Sequence, residues 1–333
     1  MSIVYITENN IRVQKKGNRL LVGRNLEVLL EIPEEVLEGM VLLNTVQLTS
    51  EVMVDLLKRN IPVTWVSAKG EFYGRLETTV DVNVFKHQKQ FKVYGTKVAL
   101  AWSKKNIAAK IANQVVLLRR YRRRQQDNID KIDHRIFRMQ LEKKKIEQCH
   151  NISEIMGYEG SAARNYFEAL GMMLPPKFAF EKRTKQPPLD PFNSMLSMGY
   201  TLLLYEIYTA LLNKGLHPYV GFTHSMKNHH PALASDLIEQ WRPILIDSLA
   251  MGLVHHHMIL PEHFTKSEEN DGIYLNREGR RIFIMAYEKK MRTLNKYHSG
   301  EHTYRHSLSY QADNFSQALM AESAEAFEPL LIR

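Results

Sequence analysis

The hydrophobic pattern of this chain changes its period once, near residue 78, and that change decides what can fold on either side. Before it, apolar residues fall in short runs broken by turn formers. "SIVYIT", "IRVQ" and "RLLVGR" flank the turn "KKGN", and "IPVTWVS" leads through "AKGE" into "FYGRLE", as expected of strands joined by tight turns. One helix interrupts them, "SEVMVDLLKRN", with Ser50 placed to cap it. After residue 94 the spacing is helical: Ile107, Ile111, Val115 and Leu118 recur, then Ile129, Ile132, Ile136 and Met139 beyond the capping sequence "QDN". The expectation is an α+β chain, with a small N-terminal β-rich domain over 1–77, a linker over 78–94, and a larger, mainly α-helical domain over 95–333.

Within the helical part, helices are expected from Ser161 to Leu170, from near Asn193 to Gly215, and from Pro231 to Trp241. A polar, hairpin-like interruption, "ENDGIYLNREGRRIF", precedes the last helices. The single cysteine, Cys149, excludes an intramolecular disulfide and a cysteine-rich zinc module. "MSIVYITENN" lacks the basic and apolar regions of a secretory signal, and "ILIDSLAMGLV" is too short to span a bilayer. These features predict a cytoplasmic chain with no membrane partner.

The formal net charge is +9, and its distribution matters more than its total. Between Lys104 and Lys145 there are 14 Lys and Arg against four Asp and Glu, whereas the rest of the chain is nearly balanced. One segment therefore carries the positive excess, as expected of a surface that meets a polyanion. Its densest part is "RRYRRR", in which Arg119, Arg120, Arg122, Arg123 and Arg124 repel one another unless counter-charge is supplied. DNA phosphates would supply it, and Tyr121 could stack or hydrogen-bond there. The alternative is a solvated basic face.

Two stretches carry candidate chemistry. In the helix expected after Pro231, Leu233, Ala234, Leu237, Ile238 and Trp241 gather on one side, and Asp236 and Glu239 share the other. These carboxylates either face water or, with His224 from the preceding loop, ligate Mn²⁺ or Mg²⁺. His229, His230 and the run His255, His256 and His257 are rival zinc ligands, although consecutive histidines point to different sides of an element. In "GYEGSAARNYF", Glu159 stands between two glycines ahead of an Ala-rich helix carrying Arg164 and Tyr166. It either caps that helix or lies where glycine backbone admits another element.

Taken in order, "GYEGSAARNYF", "DPFNSMLSMGYTLLLYEIYTALLNKGLHPYVGFTH" and "ASDLIEQWRP" resemble the CRISPR-associated integrase and endonuclease of the spacer-acquisition complex, a likeness that spans almost the whole chain. The resemblance implies a helical catalytic domain behind a β-stranded one. It also implies a Mg²⁺ or Mn²⁺ ion held by Glu159, His224 and Glu239, with Asp236 in or beside the same shell. Arg164, Tyr166 and Lys227 fall where family members place DNA-contacting or supporting groups. The implied reaction is metal-dependent joining of the 3′ hydroxyl of a short DNA fragment to a CRISPR repeat, with nuclease activity when water attacks instead. The implied partners are DNA, a second copy joined through the β domains, and a small ferredoxin-like subunit. The competing expectation is a non-catalytic helical scaffold that binds DNA.

Overall fold

The computed structural model describes residues 2–25, 27–297 and 300–332. Two compact units divide the chain, Met1–Val82 and Asn83–Arg333. The first strings together β1 (Ser2–Ile6), β2 (Ile11–Lys16), β3 (Arg19–Arg24), β4 (Glu27–Pro33), β5 (Leu37–Leu43), β6 (Val46–Leu48), the helix α1 (Ser50–Lys58), β7 (Val63–Val66) and β8 (Phe72–Leu76). They form two four-stranded sheets, ordered β1-β5-β7-β8 and β4-β3-β2-β6. Lys16 pairs with Arg19 across the expected turn, where Gly17 takes φ 59° without a side-chain penalty. Val13, Leu20, Leu42 and Val63 meet Val52 and Leu56 of α1 in one core. Thr49, not Ser50, caps α1, its side chain accepting from Val52 N.

β4 was not foreseen, and its composition explains why. Val28, Leu29 and Leu30 are consecutive and all about half exposed, so "EVLLEIP" has no inside-outside alternation to read. It is one of the two edge strands of its sheet.

The second unit is built from α2 (Val84–Val93), α3 (Lys97–Arg122), α4 (Ile129–Ile146), α5 (Ile152–Gly171), α6 (Pro191–Leu212), α7 (Ala232–Ile238), α8 (Ser248–His255), α9 (Arg277–Met291) and α10 (Tyr304–Ala321). The hairpin-like interruption contains a two-stranded ladder, β9 (Phe264–Lys266) with β10 (Ile273–Leu275). α3, α4 and α5 pack on one another, and α6 packs against α7 and α10. α6 is long and apolar enough to cross a membrane, but it is largely buried here, as befits a central core helix that is apolar on most sides.

Three expectations change. The stretch expected as a linker contains α2, capped by Asn83 and anchored where the buried Gln90 amide donates to His217 O and Val220 O. Exposed Phe85, Phe91 and Val84 had hidden its period. α5 starts at Ile152, well before Ser161: Asn151 accepts from Glu154 N, and Glu154 accepts in return from Asn151 and His150 N. Gly157 and Gly160 lie inside the helix, each costing roughly 1 kcal/mol against alanine, and that cost masked the helical reading. Finally, Pro243 does not stop the chain at Trp241. Backbone bonds from Ile244 N and Leu245 N to Trp241 O carry it through a π-helical turn, Arg242–Asp247, into α8.

Candidate active site

The face shared by Asp236 and Glu239 is not solvated. α7 is buried on every side, and the two carboxylates are 0% and 3% exposed. A buried carboxylate needs donors, and Asp236 has four of them. Oδ2 accepts from Phe222 N at 2.6 Å and Thr223 N at 3.0 Å, and Oδ1 accepts from His224 N at 2.8 Å and lies 2.6 Å from His224 Nδ1. The aspartate thereby shapes the loop and orients the imidazole. Gly221 is required by this packing, because a Cβ there would lie 2.4 Å from Asp236 Oδ2. Burial alone would lower the His224 pKa, but the hydrogen bond and charge of Asp236 raise it overall.

Glu239, one residue beyond α7, meets a different partner. Its Oε2 contacts the Lys110 ammonium and its Oε1 lies 2.5 Å from Arg242 Nη1. The same ammonium is 2.5 Å from Glu159 Oε1. Lys110 comes from α3, Glu159 from α5 and Glu239 from the end of α7, so three separate segments converge on one buried cation. Burial works to raise Glu239, but Arg242 and Lys110 outweigh it and hold the carboxyl at about 2. Burial likewise disfavours the Lys110 ammonium, and the two glutamates reverse the sign and raise it.

A second buried acid stands behind this group. Asp247 accepts from Tyr166 Oη at 2.5 Å and from Tyr200 Oη at 2.6 Å. Burial pushes its carboxyl up to about 6 against the lowering by those hydroxyls. The Arg242 guanidinium lies over the Tyr200 ring, 4.7 Å from its centroid, so Asp247 and Tyr200 hold the arginine that holds Glu239. Lys110, Glu159, Arg242, Tyr200 and Asp247 border a cavity of about 380 Å³, also lined by Gln114, Arg164, Arg183 and Lys185.

The structure brings Glu159 and Glu239 together and seats His224 on Asp236. Asp236 is taken up by four donors and orients His224, and Tyr166 is fully buried with its hydroxyl on Asp247, so it presents no surface to DNA. Nor do Gly157 and Gly160 admit a close neighbour, since a Cβ at either would meet open space. Arg164 and Lys227 are exposed, as are Arg119, Arg120, Arg123 and Arg124. Arg122 is engaged by Asp133. Tyr121 is packed against His255 in a stacked pair, 5.3 Å between centroids, so it is not a free stacking platform.

Lys110, Arg242, Asp247 and Tyr200 were missed. A signal for Lys110 was present: Asn106, Lys110, Asn113 and Gln114 recur at helical spacing beside the apolar stripe of α3, and all four are buried. The donor set suits Mg²⁺ or Mn²⁺, with two carboxylates already closed on a cation and an imidazole whose Nδ1 is held by a carboxylate, leaving Nε2 as the ligating nitrogen. Among the described residues, no three His, Cys, Asp or Glu side chains yet converge on one point. The Lys110 ammonium sits where the two glutamates meet.

Residues 4–289 match the family described as CRISPR associated protein Cas1. The CRISPR-associated endonuclease Cas1 3 of Thermus thermophilus is 32% identical over 338 aligned residues, covering 100% of this chain and 98% of its own. A CAS1 protein from Thermotoga maritima shares the fold at TM-score 0.81, with 23% identity over 96% of this chain and 97% of that one. A chain of a Cas6-RT-Cas1–Cas2 complex shares it at TM-score 0.85 and 24% identity, covering 99% of this chain and 36% of the longer one.

Proposed function

This chain belongs to the CRISPR-associated Cas1 family, and from that premise we propose that it is a metal-dependent DNA integrase and endonuclease acting in the cytoplasm. The reaction is transesterification: the 3′ hydroxyl of a short DNA fragment attacks a phosphodiester at the edge of a CRISPR repeat and releases a 3′ hydroxyl from the target strand. With water as the nucleophile the same site cuts DNA. The observation that carries this reading is the meeting of Glu159 and Glu239, distant in sequence, at one buried cation beside a cavity rich in Arg and Lys.

Glu159, Glu239 and His224 would hold Mg²⁺ or Mn²⁺. When bound, such an ion supplies Lewis-acid polarisation of a phosphoryl oxygen and offsets the charge that grows during displacement. The remaining work falls to the chain's own groups. Asp236 keeps the His224 ring in one orientation and one tautomer, with Nδ1 as the donor. Arg242 fixes Glu239, and is itself fixed by the Tyr200 ring. Arg164 and Lys185 at the cavity wall attract the phosphate backbone, and the exposed arginines at the end of α3 extend that attraction.

The proposed assembly is a homodimer joined through the β units and bound to a small ferredoxin-like subunit. The apolar, exposed edge strand β4 supports a covered edge, and the neighbour in the Cas6-RT-Cas1–Cas2 complex supports a Cas partner.

The deciding experiment is transfer of a labelled duplex into a plasmid bearing a repeat, in Mn²⁺ with and without EDTA. His224→Ala and Glu239→Ala are expected to abolish transfer and nicking while the protein still folds and binds DNA. Full Mn²⁺-dependent activity in either variant sinks the reading. Salt-sensitive DNA binding with no strand exchange in any metal would establish the scaffold alternative.

A further inference from the structure

Lys110, Arg242, Glu159 and Glu239 form a self-neutralising quartet, two positive and two negative charges closed on one another. A divalent cation entering between the glutamates would face an ammonium already in its place, in surroundings too buried for water to screen the repulsion. One of the two resident cations therefore has to move. Arg242 is pinned by Glu239 and by the Tyr200 ring. Lys110 is not so held: its ammonium is a point charge on a flexible stem, and its contacts in the quartet are the two glutamates themselves.

The cavity offers that ammonium a destination. Gln114 lies one helical turn along α3 and therefore on the same face as Lys110. It is 3% exposed, lines the same cavity, and its Oε1 has no hydrogen-bond partner among the described residues. A buried carbonyl oxygen without a donor is costly, and a rotated Lys110 side chain would supply the donor.

We propose that Lys110 is a displaceable counter-ion, which bridges Glu159 and Glu239 in the metal-free protein and swings onto Gln114 when a divalent ion takes its place. The move also carries a positive charge from the carboxylates toward the cavity, where an incoming phosphate would meet it. Lys110 is thus a positioning residue for the empty site and a phosphate-facing group for the filled one. This rests on the reading of Glu159 and Glu239 as ligands, and the test separates the two ideas.

Mn²⁺ alone is the probe, with binding to the full chain followed by electron paramagnetic resonance without DNA. Removing the competitor in Lys110→Met is expected to tighten Mn²⁺ binding by about tenfold or more, and removing the landing site in Gln114→Leu to weaken it a few-fold. Adding Glu159→Gln to Lys110→Met should erase the gain. Equal or weaker binding by Lys110→Met overturns the displacement while leaving the metal reading intact. Absence of Mn²⁺ binding in both wild type and Lys110→Met overturns both. Should Lys110→Met not fold, amine acetylation of the wild type read by mass spectrometry decides: Mn²⁺ is expected to accelerate modification of Lys110, and an unchanged or slower rate overturns the proposal.

Discussion

Two places in the helical unit use the same device, one cation between two carboxylates, and they use it differently. Around Lys110 the side chains of the cation and its two glutamates are 9%, 15% and 4% exposed, and around Arg305 the corresponding values against Glu206 and Glu288 are 18%, 10% and 14%. Burial does not separate them; geometry does. Arg305 spends Nε, Nη1 and Nη2 on four carboxylate contacts between 2.5 and 3.3 Å, and Tyr287 adds a donor to Glu206. A planar fork engaged through all three of its nitrogens has little freedom to leave. Lys110 offers a single ammonium beside an open cavity. The arginine knot is a permanent tie between α6, α9 and α10, and the lysine knot is an exchangeable one.

The largest expected effect tests that division directly. Glu159→Gln should lower metal-supported strand transfer and nicking by roughly a thousandfold, about 4 kcal/mol of transition-state stabilisation. Its unfolding midpoint should fall as well, because Glu239 is left to balance both Lys110 and Arg242. Glu206→Gln should lower stability while the folded fraction keeps full activity. Loss of activity by both variants without loss of stability would erase the distinction. Next in size, Arg305→Met strands two carboxylates and should cost roughly 3–4 kcal/mol in urea unfolding, whatever metal is present.

Asp247 sharpens the comparison through pH. Its folded carboxyl stands at about 6 against an ordinary 3.8 because it is buried, so the folded state holds a proton that the unfolded chain gives up. The Asp247 contribution to stability is therefore highest below pH 4, falls as pH rises toward 6, and stays reduced above it, by roughly 3 kcal/mol in total. Asp247→Asn should remove that fall, read as a flatter dependence of stability on pH in the variant than in the wild type between pH 4 and 7. An unchanged slope would mean that the carboxyl is ionised throughout, as a fully satisfied ion would be.

These contrasts also explain how much was readable from residues alone. The change of hydrophobic period located the β unit and the helical unit, because period depends on local backbone geometry. The proximity of Asp236 and Glu239 on one side of a helix was legible for the same reason. Their burial was not, since opposite the apolar stripe the sequence offers only polar residues, and what covers them is Lys110 and the loop at 222–224. The start of α5 was lost to Gly157 and Gly160, although the Asn151–Glu154 cap announced it. Arg242 lay just past the helix expected to end at Trp241. Its role depends on the π-helical turn that carries it toward Tyr200, and such a turn has no pattern in the sequence.

The smallest expected effect lies at the end of α3, where the same question of partnered and unpartnered charge recurs on the surface. Arg122 is paired with Asp133 of α4 at 3.0 Å through Nε, whereas Arg123 and Arg124 are exposed with no carboxylate partner among the described residues. Only the unpartnered pair can gain by meeting phosphate, because Arg122 would exchange one anion for another. Arg123→Ala with Arg124→Ala should therefore weaken duplex binding at low salt and reduce the slope of log affinity against log salt by up to about 0.9 for each phosphate lost. Arg122→Ala should change the slope by less, and catalysis at saturating DNA should be untouched in both variants. Fluorescence anisotropy across a salt series reads the slope. Equal losses from Arg122 and its neighbours would show that a surface ion pair opens as readily as a free side chain reaches out, and would confine the rule of occupied and exchangeable cations to the buried knots.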